Sequence, residues 1–142
     1  MSTEKKTTLR YFIDDHLHQE VSRYCATICF PDLSTAARAL YFQGIRCGLR
    51  MPADMADPIG EHQMSIYLAA EEYDYLNQLR ATHSISSLAR TIRIAIRSAL
   101  AAITEERAQI ENARVLAKEL SDNPHLGSLL KLLSLVPNNS AS

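Results

Sequence analysis

One short cluster in this 142-residue chain carries the side chains of acid–base and metal chemistry: Asp14-Asp15-His16-Leu17-His18, with Cys25 and Cys29 two turns further on. Adjacent carboxylates and imidazoles move protons when a pocket holds them against a substrate. Cysteine and histidine also hold zinc, in a closed set of four ligands. Neither chemistry follows from this pattern. The aspartates stand at a helix start, where a carboxylate accepts the free backbone N–H groups. Cys25 and Cys29 are four apart on one helical face and read as small core hydrophobes. The histidines lie at the other end of that helix, so a four-ligand site would need another chain. Three cysteines form no disulfide framework. Phosphate loop, nucleophile elbow and zinc-protease motifs are absent from the sequence. The expectation is a non-enzyme with no catalytic residue, no metal ligand and no cofactor.

The elements around the cluster are legible from periodicity. Thr8-Leu9-Arg10-Tyr11-Phe12-Ile13 alternates, with Leu9, Tyr11 and Ile13 on one face of a strand and Thr8, Arg10 and Phe12 on the other. Asp14 or Asp15 caps a helix striped by Leu17, Val21, Tyr24, Cys25 and Ile28. Pro31-Asp32 breaks it, and Ser34 and Thr35 start a second helix striped by Ala37, Tyr41, Ile45 and Leu49. Residues 51–61, with two prolines and a glycine, read as a linker. A second alternating segment follows, Gln63-Met64-Ser65-Ile66-Tyr67-Leu68, with Met64, Ile66 and Leu68 facing one way. Glu71 and Glu72 open a helix striped by Tyr73, Leu76 and Leu79. Ser84 or Ser86 caps the next, striped by Leu88, Ile92, Ile96 and Leu100. Arg90, Arg93 and Arg97 form one face of it, expected to be a solvated or salt-bridged surface.

The chain thus says nearly the same thing twice. Gly44-Ile45-Arg46-Cys47-Gly48-Leu49 is echoed by Ala95-Ile96-Arg97-Ser98-Ala99-Leu100. Each echo follows a Ser/Thr-rich helix start and, before that, an alternating segment. Two copies are too few for a solenoid. They point to two strand-helix-helix units, 1–50 and 62–103, joined by the linker and followed by an extension, 104–142. Within the extension, Ile103, Ile110 and Ala117 with Ala113 and Leu120 make a short heptad-like seam. Leu129 to Val136 reads as a short apolar helix.

Bulk properties narrow the class. Apolar content of 46% with four glycines and five prolines fits a mainly helical folded protein. No run approaches a membrane span. The polar start, Met1-Ser2-Thr3-Glu4-Lys5-Lys6, has no signal-peptide core behind it, so the cytoplasm is the expected compartment. Net charge is −1, distributed as +2 over residues 1–50, −2 over 51–103 and −1 over 104–142. DNA binding needs local positive charge, not a basic whole, so the low net charge weighs against that function without excluding it.

The order of a short strand, two helices and a Ser-rich start to the second helix resembles the ribbon-helix-helix family, over roughly residues 8–100. Two copies in one chain are similar to the TraY-type accessory proteins of conjugative plasmids. The resemblance implies a mainly α fold in which the two strands pair into an antiparallel ribbon over four helices, an intramolecular pseudo-dimer. It implies sequence-specific binding of double-stranded DNA, with the ribbon in the major groove. The base-reading positions carried over are Thr8, Arg10 and Phe12 from one strand and Gln63, Ser65 and Tyr67 from the other. Arg10 suits guanine and Gln63 adenine. The family grips phosphates at the start of the second helix, here Ser34 and Thr35, then Ser86 and Ser87. Lys5, Lys6 and Arg50 add phosphate contacts by charge. Phe12 and Tyr67 depart from the family's polar readers: the alternatives are stacking on sugars, contact with thymine methyls, or, after a one-residue slip, a place in the core. Plasmid transfer and transcriptional repression both follow from such a contact. The rival expectation is an interaction module, antitoxin-like or an oligomerisation adaptor. Its residues 104–142 would bind another copy, a relaxase or a toxin.

Overall fold

The computed structural model describes residues 6–54 and 56–122. Its elements run β1 (Thr7–Ile13), α1 (Asp15–Ile28), α2 (Leu33–Cys47), β2 (His62–Leu68), α3 (Ala70–Thr82) and α4 (Leu88–Asp122). The described residues are mainly helical, with four helices and one two-stranded antiparallel sheet. Contacts divide the chain into two compact units between Ala102 and Ile103.

In the first unit β1 and β2 pair in the register Thr8↔Tyr67, Arg10↔Ser65, Phe12↔Gln63. Alternation then sends Tyr11, Ile13, Met64, Ile66 and Leu68 inward, where all are buried. Two strands alone are marginal in water, so the helices must cover that inner face. They do so with Leu17 and Val21 of α1, Ala36, Ala37, Leu40 and Tyr41 of α2, Leu76 of α3, and Ile92, Ala95, Ile96 and Ala99 of α4. Each fully buried Leu or Ile contributes roughly 1.5–3 kcal/mol, which makes this shared core the main stabilising term.

Helix ends fall where side chains satisfy the free N–H groups. Asp14 accepts from Leu17 N–H at 2.9 Å and Asp32 from Thr35 N–H at 2.7 Å. Ser87 Oγ accepts from Arg90 N–H at 3.1 Å. At α3 the cap residue is Ala69, and the carboxylate of Glu72 reaches back to its N–H at 2.8 Å. Asp32 caps the second helix, and Ser34 and Thr35 lie in its first turn as expected. One sequence expectation is corrected here. Ser87, not Ser84 or Ser86, caps the fourth, because Ser84 is held in the left-handed region (φ 53) closing the turn after α3. The stripe of α2 also shifts. Ile45 is only half-buried and Leu49 lies past the helix end, while Leu40 and Gly44 are buried.

The cysteines are a further correction. Cys29 occupies the left-handed C-cap of α1 (φ 68), which leaves it exposed, and Cys25 is half-buried near the carbonyls of Phe30 and Asp32. Neither is a core residue.

The internal repeat is strict and has a different period from the sequence echo. Strand starts Thr7 and His62, caps Asp14 and Ala69, left-handed residues Cys29 and Ser84, and caps Asp32 and Ser87 are each 55 positions apart. The echo of Gly44–Leu49 by Ala95–Leu100 runs at 51 and is one helical turn out of step. Residues four apart share a helix face, so a one-turn slip preserves the apolar pattern and misleads the eye. Packing settles the true correspondence. Ala36, Ala37, Leu40, Tyr41 and Gly44 match Thr91, Ile92, Ala95, Ile96 and Ala99, and all ten are buried.

Tyr11 is 1% exposed, and its hydroxyl has no hydrogen-bond partner among the described residues. Burial pushes its phenol well above the ordinary range. Replacing a buried, unpaired hydroxyl removes a desolvation cost. Tyr11→Phe is therefore expected to keep or raise the urea midpoint. A loss above about 1 kcal/mol in that titration would mean the hydroxyl is bonded.

In the second unit, residues 103–122 are the C-terminal part of α4. Ile110, Val115 and Leu116 are exposed, and the seam residues Ala113 and Ala117 are exposed with them. The helix expected over Leu129–Val136 lies outside the described residues.

Candidate nucleic-acid interface

The outer face of the β1–β2 sheet gathers all six residues expected to read bases. Thr8, Arg10, Phe12, Gln63 and Tyr67 are exposed and Ser65 is half-buried. Phe12 is 43% and Tyr67 57% exposed, so the slipped register that would bury them does not form. Arg10 and Ser65 face each other at the middle of the face. Phe12 is level with Gln63, and Tyr67 with Thr8.

A pair of arginines fixes the two aromatic positions. Arg38 Nε donates to the Tyr67 carbonyl at 3.1 Å, and Arg93 Nη1 donates to the Phe12 carbonyl at 3.2 Å. Both pairs obey the 55-residue repeat. Their carboxylate partners do not. Arg38 meets Glu72 at 3.2 Å and lies 4.7 Å from the Phe42 ring centroid. The position matching Glu72 in the first repeat is Leu17, which is buried and apolar. Arg93 takes Asp57 instead, in a bidentate pair at 2.8 and 2.6 Å. Arg97 adds a third bond to Asp57 at 3.2 Å and donates to the Pro58 carbonyl at 2.9 Å, and Arg90 lies 4.0 Å from Asp57.

The face of Arg90, Arg93 and Arg97 is thus salt-bridged, as one of the two expected readings has it, but it is not a solvated surface. Arg93 is 3% exposed. Segment 51–61, expected to be a linker, carries the acid that neutralises it. Burial works against ionising Asp57, but the hydrogen bonds and charges of Arg93 and then Arg97 outweigh it. They hold its carboxyl below the usual range.

The expected phosphate contacts are scattered. Lys6 is exposed just ahead of β1. Lys5 lies outside the described residues. Ser34 and Thr35 sit in the first turn of α2, but the Asp32 carboxylate already accepts the Thr35 N–H. The backbone N–H and side chain of Thr35, and then the backbone N–H of Ser34, hold the Asp32 carboxyl below its ordinary value, so this helix start carries a negative charge. A phosphate there would have to displace it. Ser86 and Ser87 are exposed at the start of α4. By the 55-residue repeat they match Pro31 and Asp32, not Ser34 and Thr35. Arg50 is fastened through its backbone N–H to Ser98 Oγ at 2.9 Å, in the N-terminal third of α4.

The acid–histidine cluster makes a set of local structural contacts. Asp14 caps α1, His16 pairs with Glu20 one turn on, and Asp15 meets His62 Nε2 at 2.6 Å. His18 stacks on His62 with ring centroids 4.0 Å apart and planes 15° from parallel. The cluster fastens the start of β2 to the first turn of α1. Its partner is His62 of the same chain, which the sequence reading left out. Among the described residues, no group of three His, Cys, Asp or Glu is placed to hold a metal ion. No helix among them is long and apolar enough to cross a membrane.

Sequence reasoning missed Asp57, Arg38 and His62, and it missed the bond from Arg93 to the Phe12 carbonyl. The 55-residue spacing of Arg38 and Arg93 was the available signal for the two arginines. No protein-family model matches the chain, and no curated protein or solved structure matches it.

Proposed function

We propose that this chain is a single-chain ribbon-helix-helix protein that binds duplex DNA, with the outer face of β1 and β2 in the major groove. The observation carrying the reading is the strand register. Exchanging residues 55 apart turns Thr8↔Tyr67 into Gln63↔Phe12 and leaves Arg10↔Ser65 in the centre. That register supports a pseudo-two-fold axis through the ribbon, as two paired units in one chain would have. A two-stranded ribbon fits the major groove, where every base pair shows a distinct pattern of donors and acceptors. Arg10 and Gln63 are the side chains suited to guanine and adenine. The two strands differ at each of the three equivalent outward positions, so the recognised sequence is not a palindrome. The same contact serves an accessory protein at a plasmid transfer origin or a transcriptional repressor.

Salt-dependent anisotropy on the chain's own genomic neighbourhood tests this reading. Affinity should fall by about 0.9 log units per log unit of salt for each phosphate neutralised. Arg10→Ala and Gln63→Ala should each weaken specific binding by about 1–3 kcal/mol, with non-specific binding less affected. Unchanged binding by both variants at every site would remove the assigned reading face.

A second reading, an interaction module, is favoured by the exposed Ile110, Val115 and Leu116 on the C-terminal part of α4. Association through such side chains should barely respond to salt, and sedimentation across the same salt series separates the two readings.

A further inference from the structure

We infer that Phe12 and Tyr67 are specificity-determining residues that take the 5-methyl groups of two thymines, one on either side of the base pair read by Arg10. This rests on the duplex-binding reading above and names what its two departures from polar readers are for. Both rings are large and stand exposed on a strand face whose other members are polar or charged. Single exposed apolar side chains are ordinary on protein surfaces. Here two occur at equivalent positions of the repeat, and each has its own backbone carbonyl held by an equivalent arginine, Arg93 for Phe12 and Arg38 for Tyr67. Equivalent anchors on the two backbone carbonyls hold the two residues at matching places on the ribbon.

The chemistry of the major groove then selects the partner. An aromatic ring there has one apolar feature to meet on a base edge, the thymine methyl. Polar neighbours take the other edges: Gln63 beside Phe12, Thr8 beside Tyr67, and Arg10 between them. Phe12 and Tyr67 are four residues apart along the ribbon, so their α-carbons are separated by about 14 Å at ~3.4 Å per residue. At ~3.4 Å per base-pair step this is about four steps. Their relation through the pseudo-two-fold places the two thymines on opposite strands.

The test begins with selection of a site from a random duplex pool by the full chain. Each thymine is then replaced singly by deoxyuridine, which removes only the methyl group. Two positions about four base pairs apart on opposite strands should each lose about 3- to 5-fold in affinity, the worth of one methyl-sized contact. Phe12→Ala should abolish the loss at one position and Tyr67→Ala at the other, each leaving the second position sensitive. Both rings point out of the core, and circular dichroism checks that the variants stay folded. Tyr67→Phe should retain the methyl sensitivity. A selected site indifferent to every uracil, or sensitivity that persists in both alanine variants, overturns the inference while leaving duplex binding intact. Failure to select any duplex overturns both.

Discussion

Asp57→Ala should cost about 3 kcal/mol of stability and lower the thermal midpoint by on the order of 10 °C, more than any surface substitution in the chain. Asp57 is the counter-charge to a guanidinium that is almost wholly buried. Removing one partner of a buried pair leaves the other charge unneutralised, and that penalty exceeds the net worth of the intact pair. Arg93 cannot swing out to water without giving up its bond to the Phe12 carbonyl. The loss should therefore reach the ribbon, seen as faster amide exchange around Phe12. Asp57→Asn keeps the shape and loses the charge, and should fall between wild type and alanine. The pH dependence has a definite sign. Asp57 holds its proton less tightly in the folded chain than in the unfolded chain, where carboxylates titrate near ~3.9. The unfolded chain takes up the proton first, so this contribution is complete above about pH 4 and is lost as pH falls through the lower folded value. Urea titrations between pH 5 and pH 2 should show Asp57→Ala converging on wild type at the acid end. Parallel curves across that range would mean that Asp57 is not the counter-charge.

What the sequence made legible follows from what period each signal has. Strand faces were readable because alternation has a period of two and both segments keep it for six residues. The antiparallel pairing followed from needing a partner for each lone strand. Helix ends were less legible. Asp32, Ser34 and Thr35 all have capping side chains within four residues, and geometry, not residue type, selects Asp32. The repeat was detected but misaligned in the helices, because a four-residue slip keeps the same face apolar. Aligning on caps and strands gives 55 throughout, and only then do Arg38 and Arg93 appear as a pair. Asp57 was illegible for a different reason. Its partners lie 36 and 40 positions away in sequence, and its segment shows the proline and glycine content of a linker. Gly60 in that segment also has a packing reason, since a Cβ there would overlap the backbone of Ile13 and Asp14. The candidate base-reading set was legible as a face, while the residues that brace it were not, because bracing depends on contacts between distant elements.

Gly44→Ala is the second substitution expected to have a large effect, and its sign runs against helix propensity. In an isolated helix alanine is better than glycine by about 1 kcal/mol. Gly44 lies inside α2 with α4 pressed against it, and a Cβ built there would fall into the backbone carbonyl of Ala95. A backbone carbonyl cannot rotate aside as a flexible side chain does, so the two helices must separate. Separation opens space around Leu40, Tyr41, Ile92 and Ile96, all at most 1% exposed, and forfeits close packing on both helices. Overpacking of this kind costs about 1–3 kcal/mol, and the rigid partner puts Gly44→Ala at the upper end, net of the propensity gain. Gly48→Ala is the matched control. Gly48 has φ +95 with nothing near its would-be Cβ, so its cost is conformational strain alone, of order 1 kcal/mol. Ala95→Gly gives the decisive comparison. The obstruction at Ala95 is its carbonyl and α-carbon, so deleting the Ala95 methyl should not restore the Gly44→Ala urea midpoint. Rescue by Ala95→Gly would show that side chains, not backbones, meet at this crossing. The helices of the two repeats would then be packed less closely than their 55-residue correspondence requires.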